Sequence, residues 1–222
     1  MTSHISTGAD RRAFIATHTR LGRSALVPDI KLHLASELTP LWHASEEFLQ
    51  SHNMSPPFWA FAWPGSEALA RYLTDHPELA AGKKLLDFAA GCGLAAIAAA
   101  KSGTAEVEAA EIDPLAWSAI MLNAQANDCR VNVLEGDVVG QPCRWDVILC
   151  GDVCYEAPMT RHILPWLREC ARSATVIIAD PGRAYMPKEG HLALERIAVP
   201  TTLELEDSTS RRVTLFQLQA EK

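Results

Sequence analysis

The chain is expected to fold as a doubly wound α/β sheet of seven strands, five parallel and then an antiparallel hairpin, preceded by an N-terminal extension. Three observations predict this. From Lys83 onward, short apolar runs with strand character alternate with helical patterns, an order that implies right-handed crossovers and a parallel sheet. Lys84 to Ile97 reads as a buried strand, a Gly91-Cys92-Gly93 turn and the first turn of a helix, and Glu111 ends a second strand 20 positions after Gly91. That spacing is the mark of a nucleotide-binding βαβ unit, in which glycines allow close backbone approach and the acid accepts from ribose hydroxyls. Finally, Thr201 to Glu206 and Arg212 to Leu218 are two β-like runs around polar Asp207-Ser208-Thr209-Ser210. No helical pattern separates them, so one of these strands runs antiparallel to its neighbour.

Taken in order, residues 1–12 are polar and read as a loose tail. Residues 13–82 form the extension. Within it, Ala13 to Arg20 is expected to be a short helix, and Asp29 to Ala35 alternates apolar and polar side chains as a strand does. Leu41 to Gln50 has a helical pattern, and Ser55-Pro56-Pro57 interrupts the chain. Ser66 to Asp75 places Ala68, Leu69, Tyr72 and Leu73 on one face of a helix. Residues 83–222 are the core. Strands are expected at 84–89, 106–111, 130–134, 145–150 and 174–179, with helices at 94–102, 114–127 and 157–172.

Composition narrows the function. Of 222 residues 48% are hydrophobic, enough for a substantial core, and the net charge of −7 argues against nucleic acid as a partner. Runs of Lys and Arg never exceed a pair. The six cysteines contain no Cys-x-x-Cys pair and mostly lie in or beside apolar segments, which predicts reduced, buried thiols and no metal site. Met1 to Arg12 has no apolar signal core, and the apolar run Phe88 to Ala100 is too short to cross a bilayer. A cytoplasmic location without membrane attachment is the expectation.

Gly91-x-Gly93-x-x-Ala96 also satisfies the dinucleotide fingerprint, so NAD is the rival ligand. Asp87, four positions before Gly91, would repel a pyrophosphate and attract the ammonium of S-adenosylmethionine. Asp137, in Leu134-Glu135-Gly136-Asp137-Val138, stands where an acid accepts from the adenine amino group while Val138 offers apolar contact. Asp152 follows the fourth core strand, at the edge where doubly wound sheets bind ligands. Each acid alone has an ordinary reading as a turn, cap or solvated strand end. Their occurrence together, in this order, favours S-adenosylmethionine.

The ordered acids and the terminal hairpin resemble the class I, seven-β-strand methyltransferases, a Rossmann-like fold. Asp152-Val153-Cys154-Tyr155 resembles the Asp-x-x-Tyr signature of the family 16 protein methyltransferases, and Pro57 to Ser66, containing Trp63-Pro64-Gly65, is similar to that family's aromatic-Pro-Gly segment. Phe14 to Leu21, Leu26 to Leu34 and Asp180-Pro181-Gly182-Arg183 look like the bacterial form of one branch, the lysine methyltransferases of the electron transfer flavoprotein β subunit. The glycine turn departs from the commoner pattern by having Ala95 at its third small position. The resemblance implies cofactor contacts from Trp63, Asp87, Gly91, Gly93, Glu111, Ile112, Asp137, Val138 and Asp152. It places Asp152 and Tyr155 where the methyl group of S-adenosylmethionine meets a lysine amine, leaving S-adenosylhomocysteine as product. The implied substrate is the flavoprotein β subunit. Another protein, a small-molecule amine or a role as a cofactor-binding module without turnover remain as alternatives.

Overall fold

The computed structural model describes residues 7–42 and 56–221. Most of the expected helix at Leu41 to Gln50 lies outside them. The first helix, α1 (Gly8–His18), begins earlier than expected, inside the stretch read as a tail. The reason is a capping box: Thr7 Oγ1 accepts from the Asp10 backbone, and the Thr7 N–H donates back to the Asp10 carboxylate. Strands β1 (Arg20–Arg23) and β2 (Lys31–Leu34) form an antiparallel pair. A 3₁₀ turn over Phe58–Ala60 leads to α2 (Pro64–Asp75).

The core then runs β3 (Lys84–Phe88), α3 (Leu94–Lys101), β4 (Glu106–Glu111), α4 (Pro114–Ala126), β5 (Asn132–Glu135), β6 (Val147–Gly151), α5 (Ala157–Cys170) and β7 (Thr175–Asp180). It finishes with β8 (His191–Pro200), the short helix α6 (Leu203–Glu206) and β9 (Ser210–Leu218). The seven-stranded sheet has the order β5-β4-β3-β6-β7-β9-β8. Strands β3 to β7 pair in parallel, and β9 is antiparallel to both β7 and β8. Order reverses between β3 and its two neighbours β4 and β6, so the C-terminal ends of these strands open a crevice at the switch point.

The alternation of side chains builds two cores. Leu85, Val147, Leu149, Ile177 and Ala179 face α2 and α3, whereas Leu86, Phe88, Ile148, Cys150, Val176 and Ile178 face α5. Four of the six cysteines are buried and all six are free.

The hairpin is present, but its first strand differs from the expectation. Residues 191–200 form β8, while 203–206, expected as strand, make a helical turn closed by Asp207 in the left-handed region at φ 52°. As an edge strand, β8 exposes Leu192 and Leu194, so its residues lack the clean burial pattern by which strands are read.

The extension is fastened to the core by polar side chains. Buried Glu67 of α2 accepts from Ser24 Oγ and from the N–H groups of Ala25 and Leu26. On α4, Asn123 accepts from the His33 N–H, and Asn127 both accepts from the Lys31 N–H and donates to its carbonyl. These amides satisfy backbone groups of β2 as a neighbouring strand would. No helix among the described residues is long and apolar enough to cross a membrane.

Candidate active site

The glycine turn joins β3 to α3. Gly91 and Gly93 adopt φ 55° and 76°, a region that disfavours a Cβ. Gly93 has a second constraint: a Cβ there would stand 3.1 Å from the Ile120 side chain of α4. The turn is held by two acids. Asp87 Oδ2 accepts from the Ala96 N–H at 2.9 Å, beneath the first turn of α3. Glu111 Oε2 accepts from the Gly91 N–H at 3.0 Å, and Oε1 accepts from Ile112 N–H at 2.7 Å.

Both acids lie in a poorly solvated place. Asp87 is only 3% exposed, and burial raises its pKa to about 8, helped by the nearby charge of Glu111. Burial also raises Glu111, opposed by its backbone hydrogen bonds. Among the described residues no ion pair reaches either acid. The turn is therefore backed by two carboxyls without a cation, an environment that suits a positively charged ligand.

Ile112, just past Glu111, is 71% exposed and presents an apolar side chain at the end of β4. Asp137 lies beyond β5; its Oδ1 accepts from Val139 N–H and its Oδ2 pairs with His162 at 2.7 Å. Val138 is 2% exposed, within the core cluster that contains Phe88, Ala110 and Ile148.

An aromatic group stands beside the turn. Phe58 meets Trp63 edge-on and Tyr155 at a tilt, at centroid distances of 5.9 and 5.8 Å, and Phe61 meets Trp63 at 5.9 Å. The Phe58 carbonyl lies 3.9 Å from the position of a Cβ on Gly91 and accepts from Trp63 Nε1. Trp63 and Tyr155 are thus brought together through Phe58, which the sequence reading did not single out. Burial, with Glu156 and Glu111 nearby, raises the Tyr155 phenol, so it remains a neutral hydroxyl.

Asp152 sits just after β6 with φ 56°, a strained setting that Asp tolerates better than most residues. Its N–H donates to the Ala179 carbonyl, Gly65 N–H donates to its Oδ2, and Arg183 donates from Nε and Nη2 to its Oδ1 at 2.9 and 2.6 Å. Burial raises this acid to about 6, with Arg183 and the Gly65 hydrogen bond acting the other way. Gly65 has to be glycine: a Cβ would stand 2.5 Å from Asp152 Oδ2 and 2.7 Å from the Ala179 carbonyl. Gly151 makes the same close approach from the other side, since a Cβ there would meet Ser66 N at 2.9 Å. The Trp-Pro-Gly-Ser segment and the Asp-x-x-Tyr segment therefore form one packed unit. Arg183 and Glu206 were missed as site residues; Arg183 falls in the Asp-Pro-Gly-Arg stretch, but nothing in its spacing points to Asp152.

A methyltransferase with bound S-adenosylmethionine, the magnesium protoporphyrin IX methyltransferase of Synechocystis PCC 6803, superposes with a TM-score of 0.52 over 68% of this chain and 77% of its own at 20% identity. That likeness establishes a class I methyltransferase fold. Residues 68–155 match the family model of ribosomal protein L11 methyltransferase (PrmA). The electron transfer flavoprotein beta subunit lysine methyltransferase of Xenopus laevis is 35% identical, covering 89% of this chain and 80% of its own. Those of Danio rerio and Homo sapiens are 38% and 37% identical, covering 81% and 89% of this chain and 71% and 76% of their own.

The chain belongs to the electron transfer flavoprotein beta subunit lysine methyltransferase family.

In this lysine methyltransferase family member, the glycine turn, Asp87, Glu111, Trp63 and Tyr155 all stand at the C-terminal ends of the central strands or beside them. The family relationship covers the N-terminal extension as well as the core, in agreement with the anchoring of β2 and the Ser24 to Val27 turn to α4 and α2. A separate open concavity of about 420 Å³ near Arg168 and Glu189 shares no residue with this site.

Proposed function

We propose that this protein uses S-adenosylmethionine to methylate lysine side chains of the electron transfer flavoprotein β subunit. Membership of the family is the observation that carries this reading, because the relatives bear that activity in their names. The uncompensated acids behind the glycine turn support the cofactor. When bound, S-adenosylmethionine supplies an electrophilic methyl on a sulfonium, so the chain need not provide a covalent nucleophile.

The residues divide into two groups. Gly91 and Gly93 admit the methionine part of the cofactor, Asp87 supplies negative potential for its ammonium from beneath the turn, and Glu111 accepts from the ribose hydroxyls. Ile112 offers an apolar surface to the adenine and Asp137 an acceptor for its amino group. Trp63 lines the cofactor side of the aromatic group. The second group, Asp152 and Tyr155, receives the lysine. The chain's main task there is to hold the amine nitrogen in line with the methyl carbon.

Only a neutral amine attacks, and the lysine amine has an unperturbed pKa of about 10.4. Beside the apolar faces of Phe58 and Tyr155, whose ring centroids lie 5.8 Å apart, the amine loses part of its hydration, which disfavours its charged form. A carboxylate has about four lone-pair directions. In Asp152, Arg183 occupies two and Gly65 one, so one acceptor direction is left to orient the amine N–H. Asp152 acts as an orienting acceptor that offsets positive charge developing on nitrogen, while the Tyr155 ring positions the lysine side chain.

The test is incubation of purified protein with methyl-labelled S-adenosylmethionine and purified flavoprotein, followed by hydrolysis and identification of the labelled amino acid. Methyl-lysine supports the reading. Label in any other residue, or none, overturns it.

A further inference from the structure

Asp152 is tied to the C-terminal hairpin by a chain of ion pairs. Arg183 directs Nε and Nη2 at Asp152 Oδ1 and also donates from Nη2 to Glu206 Oε1 at 2.6 Å. Glu206, 4% exposed, is held in turn by Arg211, whose Nε donates to its carboxylate at 2.9 Å and whose Nη2 donates to its carbonyl. The Arg183 guanidinium also lies 6.0 Å from the Trp63 ring. One cation therefore joins the loop after β7, the loop after β6, the turn α6 and the start of α2.

We propose that Arg183 is a positioning residue for methyl transfer, clamping Asp152 Oδ1 so that the remaining acceptor direction on Oδ2 meets the substrate amine. Glu206 and Arg211 anchor that clamp. This inference rests on the reading of Asp152 as the amine's orienting acceptor.

The arrangement answers a chemical difficulty. A carboxylate beside a lysine amine favours the protonated amine, which cannot attack. Arg183 is a cation that does not lose its proton. Paired with it, Asp152 keeps an acceptor lone pair while presenting less net negative charge. The groups that face Asp152 are the Gly65 N–H from α2, Arg183 from the loop after β7, Glu206 from α6 and Cys154 from its own loop. Of these Arg183 is the only cation, and Glu206 opposes it. Replacing either should move Asp152 in opposite directions.

The experiment is a carboxyl NMR titration of ligand-free protein labelled at aspartate, beside pH–rate profiles with S-adenosylmethionine and the flavoprotein. In Arg183→Gln the Asp152 carboxyl should titrate about one unit higher, the lower end for losing an adjacent opposite charge. The rise of kcat with pH should move upward with it. Arg183→Lys should restore most of the wild-type profile. Glu206→Gln should move the Asp152 titration downward, and it decides the matter if Arg183→Gln fails to fold. Titrations of Asp152 that stay at the wild-type position in the folded variants would overturn the proposal, as would a uniform loss of kcat at every pH without a shift. If wild-type protein forms no product with the flavoprotein, the substrate reading fails, and the titration still reports on the clamp.

Discussion

The backbone N–H of Gly65 donates to the carboxylate of Asp152 across 87 positions of sequence. This contact joins the two motifs around the candidate site, and it leaves no space for a side chain at Gly65. Gly65→Ala would set its Cβ 2.6 Å from the Asp152 backbone nitrogen, and such overpacking costs about 1–3 kcal/mol. The expected result in urea denaturation is a loss of that size with greatly reduced turnover. Gly22→Ala is the control, since its Cβ would find nothing nearer than the Leu32 carbonyl at 4.0 Å. Equal stability of the two variants would contradict the packing described.

Glu111→Gln keeps a side chain of the same shape and loses the charge. Affinity for S-adenosylhomocysteine should fall by about 1–3 kcal/mol, the scale of hydrogen bonds to a charged acceptor. Titration calorimetry measures it. An unchanged affinity in folded protein removes Glu111 from the ribose role.

Asp87 gives a pH dependence with a definite sign. Its carboxyl in the folded, ligand-free protein is raised to about 8, above the ordinary value of 3.8. Over the interval between those values the folded state holds the proton more tightly than the unfolded chain, so this group's contribution to stability falls as pH rises toward the folded value. Asp87→Asn abolishes that term and should flatten the decline in stability across the interval. A cationic ligand favours the ionised acid, so wild-type affinity for S-adenosylmethionine should increase between about pH 6 and 7.5, with proton release. Affinity independent of pH in wild type, or the same slope in Asp87→Asn, would argue against the role.

In the aromatic group, Tyr155→Phe preserves the ring that meets Phe58, whereas Tyr155→Ala removes it. The phenylalanine variant should retain most activity, and the alanine variant should lose at least about tenfold, or 1.4 kcal/mol in transition-state energy. Steady-state kcat/KM distinguishes them. Equal losses would show that the hydroxyl matters and the ring does not.

Much of the sheet is legible because the central strands β3, β6 and β7 are compact apolar runs bounded by a glycine, an acid or a helix start. Strand β4 falls at 106–111 as expected, and the glycine turn and Glu111 fix the crevice between it and β3. Strand β8 is not legible, since its exposed edge carries His191, Glu195 and Arg196 among apolar residues, a mixture without a period. Thr201 to Glu206 misleads for the opposite reason: it alternates like a strand, yet the chain turns there. The acids of the site are readable from their places at strand ends. What each acid touches is not, because Arg183 and Glu206 reach Asp152 through tertiary folding.

The most direct test of lysine methylation of the flavoprotein β subunit is the intact mass of that subunit after incubation with this protein and S-adenosylmethionine. The account predicts a rise by whole methyl increments, one CH₂ each, that is abolished when the mapped lysine is changed to arginine and strongly reduced with Asp152→Asn enzyme. An unchanged mass, with clear methylation of a different protein under the same conditions, would contradict it.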